Sequence, residues 1–108
     1  MKKVYEIACF TSDWKNDEAT ALMFKLQEKM YDFFTDKKEA IEWFNGRFNF
    51  LKNNWYKKWL ADFRKENPKI TIGVELYECI VPNNFDPNTD SALDYGKPIK
   101  NLYFCEGE

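Results

Sequence analysis

The chain has 108 residues, 44% hydrophobic and 31% charged, with a net charge of −2 and no histidine. That size suits one domain with its own core, and the composition excludes a disordered chain. The charge excludes a polycation that coats nucleic acid, and the missing histidine removes the commonest general base near neutral pH.

Residues 4–11 (VYEIACFT) are rich in β-branched and aromatic side chains and predict a strand. Tyr5, Ile7 and Cys9 fall on one face and Val4, Ala8 and Phe10 on the other, as in a central strand. Glu6 interrupts the start of the chain before a long apolar run can form, so no signal peptide is expected there. No apolar run approaches the ~20 residues of a membrane span. The three cysteines, Cys9, Cys79 and Cys105, are too few and too scattered for a disulfide framework. A cytoplasmic protein without membrane contact is expected.

Residues 12–17 (SDWKND) read as a turn holding Trp14. In residues 18–30, Ala19, Leu22, Met23, Leu26 and Met30 fit helical spacing behind Asp17 as N-cap. Phe24, Leu26, Met30 and Phe34 also fit a period of two. The reading adopted is a loop or short helix near 17–25, then a strand at about 26–34. That strand feeds a helix capped by Asp36, with Glu39 as its capping-box partner.

The helix is expected to run to about residue 66, where Asn67-Pro68 stops it. Ile41, Phe44, Phe48, Leu51, Trp55, Trp59 and Phe63 form its core stripe. Trp43 and Phe50 lie roughly opposite, and with Arg47, Lys57 and Arg64 they make a basic aromatic ladder. Gly46 is the weak point, since glycine costs about 1 kcal/mol inside a helix.

Residues 70–81 (ITIGVELYECIV) alternate clearly as a strand until Leu76, where the apolar phase slips, as at a bulge or an edge. Residues 82–94 (PNNFDPNTDSALD) read as a long polar loop ordered around Phe85. A turn at 95–98 leads into a last strand, 99–105. The expected fold is a single α+β domain, residues 1–108. A mostly antiparallel sheet of three or four strands, in β-β-α-β-β order, carries one long helix on one face. The second sheet face is then uncovered, which points to binding or self-association.

Charge is unevenly spread. Residues 37–69 hold nine Lys/Arg and four Asp/Glu, whereas residues 70–108 hold two and seven. The basic and acidic parts can attract each other in the fold, or each can face a partner.

No motif selects a reaction. Asp86-Pro87-Asn88-Thr89-Asp90-Ser91 opens like a calcium loop, but Ser91 stands where glycine is required and Lys97 where the bidentate glutamate is required. Three cysteines without histidine make a poor zinc set, and buried inert thiols are the plainer reading. Glu75 and Glu78 do not share a strand face, and phosphate-cradling glycine loops are absent. No catalytic residue, metal or cofactor is expected.

The leading expectation is therefore a non-enzymatic protein-binding module or inhibitor that occludes its partner. Its candidate residues are Trp43, Arg47, Phe50, Lys57 and Arg64 on the helix, and Glu75, Glu78, Asp86, Asp90 and Asp94 in the acidic third. If the partner is a nucleic-acid-binding enzyme, those acids can stand in for phosphates. In style, though in no motif, the chain is similar to small inhibitors and adaptors that phages and mobile elements use against host defence. The alternative is a small nucleic-acid-binding module using the basic helix face. A homodimer is compatible with either. The plain structural alternative is that residues 18–30 or 82–98 cover Trp43 and Phe50.

Overall fold

The structure, a computed structural model, describes residues 1–55 and 57–107, apart from the side chains of residues 55–59. Strands β1 (Lys2–Thr11), β2 (Phe33–Phe34), β3 (Ile72–Val81) and β4 (Gly96–Cys105) form one antiparallel sheet in the order β2-β1-β3-β4. Helices α1 (Asp17–Met30) and α2 (Lys37–Phe50) are followed by a π-helical turn, Leu51–Trp55, and by α3 (Lys57–Glu66). The expected α+β class holds. The mostly antiparallel sheet holds as well; the short helix allowed near 17–25 is a full helix to Met30, and the long helix comes in two parts.

The expected strand at 26–34 shrinks to Phe33–Phe34, because Leu26 and Met30 belong to α1. Helical spacing wins there since it buries Ala19, Leu22, Met23, Leu26 and Met30 together on one stripe. Full burial of each large apolar side chain stabilises by about 1.5–3 kcal/mol. The N-cap is Asn16 rather than Asp17, and its Oδ1 accepts the Ala19 N–H at 2.9 Å. Asp36 caps α2 as expected, accepting the Glu39 N–H at 2.9 Å.

Gly46 does not break α2. The helical register changes five residues later, at the π-turn. Its i→i+5 bonding inserts a residue into the helical ladder. On an unbroken α-helix, at about 100° per residue, Phe63 would sit at the margin of the stripe of Phe44, Phe48 and Leu51, and Leu60 well off it. All five are buried in one core. The side chains of Trp55 and Trp59, also expected in the core stripe, lie outside the described residues.

The inner sheet face, with Tyr5, Ile7, Ile72, Val74 and Leu76, packs against these helices. A second, smaller cluster lies on the outer face: Val4, Cys79 and Val81 beneath Phe85 and Ala92 of the segment after β3. This explains the slip in apolar phase along β3. Its register with β1 is unbroken from Ile72 to Val81, but the cover changes sides part-way. The bulge belongs to the β3–β4 pairing, where Leu76 faces Lys100 and Tyr77 faces Pro98.

Candidate functional site

The predicted helix ladder does not form one surface. Trp43 is half-buried, its ring 5.6 Å from Phe34 at the margin of the main core. This corrects its expected place on an open face. Arg47 donates from Nε to the Lys29 carbonyl at 3.2 Å, and its guanidinium lies 6.0 Å from the Phe50 ring. Phe50 is 56% exposed. Arg47 also lines a surface cleft of about 420 Å³ with Lys25, Glu28 and Lys29. Arg64 is exposed in the last turn of α3, beyond the π-turn that shifts the phase of any heptad ladder. The side chain of Lys57 lies outside the described residues.

The acidic residues separate as well. Glu78 lies on the inner face opposite Tyr5, accepts its hydroxyl at 3.4 Å and meets Lys37 at 3.8 Å. Asp86 and Asp90 serve their own loop: Asp86 Oδ1 accepts the Asn88 N–H at 2.9 Å, and Asp90 Oδ2 accepts the Asp86 N–H at 3.0 Å. Such Asx turns order the segment around buried Phe85, which stacks on Phe33 at 6.0 Å. Asp94 is exposed in the short 3₁₀ turn Ala92–Tyr95. Glu75 stands apart from the rest, on the outer face opposite Ala8.

Glu6 is buried on that same face, only 7% exposed. Its Oε2 accepts the Ala92 N–H at 3.2 Å, and it also takes hydrogen bonds from the Tyr31 hydroxyl and the Leu93 N–H. Burial pushes its carboxyl pKa up, against the pull of those bonds. Glu6 thus fastens the 3₁₀ turn onto the sheet. The thiols are poor nucleophiles: burial pushes Cys9 up to about 12 and Cys79 up to about 11, and raises Cys105 despite the nearby charges of Arg64 and Lys52.

Both sheet edges are partly guarded. Next to the two residues of β2, Gln27 from α1 takes the free edge of β1, bonding Ile7 and Cys9. On the β4 edge, Lys52 donates to the Tyr103 carbonyl at 3.3 Å, and the strand carries Lys97, Pro98 and Lys100. Lysine and proline on an edge disfavour strand addition.

What stays open is half of the outer face. The segment after β3 covers the end with Val4, Cys79 and Val81 and leaves the other end uncovered. Three rows cross that end, read from the register. Phe10, Gly73 and Tyr103 form one; Ala8, Glu75 and Asn101 the next; buried Glu6, Tyr77 and Pro98 border the covered side. Phe10 lies over Gly73 so closely that a Cβ there would come within 2.5 Å of its Cζ. Phe10 and Tyr103 meet edge-on at 6.4 Å. Tyr77 donates its hydroxyl to Glu75, and that bond is the main cause raising the Tyr77 pKa.

The chain matches no protein-family model, no curated protein and no solved structure. The chemistry of this face therefore speaks through its own residues: aromatic rows around the half-buried Glu75, with Glu6 buried beside Tyr77. Among the described residues, no three Cys, Asp or Glu side chains converge as metal ligands. No described helix is long and apolar enough to cross a membrane.

Sequence reading placed an uncovered second sheet face but not its composition. Gly73 carried the missed signal, since glycine inside a strand often marks a close approach, here by Phe10. A second exposed aromatic pair, Trp14 and Phe24, each 59% exposed and 6.2 Å apart, sits by the start of α1. Charges of both signs flank it, from Asp13, Lys15, Asp17 and Lys25.

Proposed function

We propose that this protein is a non-enzymatic docking module that seats a partner protein on the open half of its sheet and acts by occluding the surface it covers. The carrying observation is the outer half-face where half-buried Phe10 and Tyr77 and exposed Tyr103 stand around Glu75, while Gln27 closes part of one sheet edge and Lys52 bonds the other. Tyrosine and phenylalanine anchors held by packing lose little conformational freedom on binding, which favours them at interfaces. Asp86 and Asp90 serve their own loop and Glu78 meets Tyr5 and Lys37, which weighs against the acidic third as one surface.

The test is quantitative capture from extract of the source cell by wild type and by Phe10→Ser/Tyr103→Ser, both checked for a folded circular dichroism spectrum. A protein enriched by wild type and lost with the double variant is the expected result. Equal capture by both sinks the proposal.

A second reading, a small nucleic-acid-binding module, draws on the cleft of Lys25, Lys29 and Arg47 beside exposed Phe50. Phosphate contacts strengthen as salt falls. Labelled single- and double-stranded oligonucleotides that fail to bind at low salt would remove it.

A further inference from the structure

We infer that the occupant of the open half-face is an arginine-bearing segment of a partner protein, with its guanidinium on Glu75. This rests on the docking reading and names the chemistry of the partner.

The row of Ala8, Glu75 and Asn101 lies between two others. On one side stands the row of Phe10 and Tyr103, on the other Tyr77. Residues two apart along a strand are about 7 Å apart, so the rings of Phe10 and Tyr103 on one side and Tyr77 on the other flank Glu75. Glu75 is half-buried between these rings; the other carboxylate of the three rows, Glu6 opposite Tyr77, is buried and accepts the Ala92 N–H instead. Its carboxylate accepts the Tyr77 hydroxyl, which leaves other lone pairs for a donor from outside. Asn101 adds a carboxamide oxygen across the strand.

A partner that covers this row removes water from Glu75. A buried carboxylate without a cation is strongly destabilising, so the partner must supply one. A second copy docked with Glu75 on the twofold axis would set two carboxylates against each other. Nucleic acid would bring phosphates to the same carboxylate. Between the two cationic side chains, arginine fits better. Its planar guanidinium stacks on aromatic faces and pairs with a carboxylate through two parallel bonds, whereas lysine brings a more strongly hydrated point charge.

The test is a ¹H–¹⁵N titration of the full chain with blocked hexa-arginine, hexalysine and hexaglutamate peptides. Hexa-arginine is expected to shift the amides of Ala8, Phe10, Gly73, Glu75 and Tyr103, and to bind several-fold tighter than hexalysine. Glu75→Gln is expected to weaken it about tenfold, as for loss of a charge-assisted pair, with a native-like spectrum. Asp86→Asn/Asp90→Asn is expected to leave it unchanged. Shifts confined to residues 82–95, equal affinity in Glu75→Gln, or self-association through this face would each overturn the inference. The two ideas fail separately. Partner capture that needs Phe10 and Tyr103 but not Glu75 sinks the arginine assignment alone, and capture indifferent to all three sinks the docking face.

Discussion

Gln27 bonds the backbone of Ile7 as a neighbouring strand would. Its Nε2 donates to the Ile7 carbonyl at 3.0 Å, while its Oε1 accepts the Cys9 N–H at 2.6 Å. One side chain from α1 thus closes the edge of β1 beside the two-residue β2. Gln27→Ala leaves both backbone groups without that partner, and an unpaired buried group costs about 1–3 kcal/mol. A lower urea midpoint with unchanged m-value is expected, along with faster aggregation in light scattering as the edge opens.

Gly73→Ala tests the seat of Phe10. The new Cβ would collide with the ring, which must swing out and give up its edge contact with Tyr103. Phe10 is only half-buried, so the loss falls near the low end of overpacking, about 1 kcal/mol. That corresponds to roughly 5 °C in Tm for a domain of this size. Partner capture is expected to fall by more than this small loss of stability explains.

Glu6 sets a pH dependence. Its folded pKa is raised, chiefly by burial, so the fold favours its protonated form. That contribution is complete below the unfolded pKa and is lost as pH rises through the folded one. Glu6→Gln removes the dependence and keeps a carbonyl for the Ala92 N–H. The variant is expected to gain stability relative to wild type between acid and neutral pH, read from urea unfolding at several pH values. A wild type that gains on the variant over that range contradicts the assignment.

The thiols should be silent in the folded protein. With Cys9 at about 12 and Cys79 at about 11, and Cys105 buried, little thiolate exists at pH 8. Iodoacetamide is expected to label them slowly in buffer and fully in urea, as mass spectrometry reads directly. Rapid native labelling of Cys79 would show that the segment over it opens freely.

Much of the fold was legible because single-element signals agreed with it. Residues 4–11 alternate on two apolar faces and form the central strand, and Asp36 with Glu39 marks the start of α2. What was not legible depends on tertiary cover. Leu26 and Met30 satisfy both a helical and a two-residue period, and only the helix buries them with Leu22 and Met23. Along β3 the apolar residues change sides because Phe85 and Ala92 cover the outer face at one end. The π-turn at Leu51–Trp55 moves the phase of the long helix without any proline or glycine to announce it. For the same reason the ladder from Trp43 to Arg64 looked like one surface in sequence and is not one in the fold.

Site-specific photo-crosslinking tests the central claim most directly. A benzophenone side chain is placed either at position 103, on the open sheet face, or at position 50, on the exposed rim of α2. Each protein is irradiated in extract of the source cell, and adducts are counted against an unirradiated control. An adduct from position 103 that is absent from position 50 is the predicted result. An adduct from position 50 with none from position 103 would place the docking surface on the helix and contradict this account.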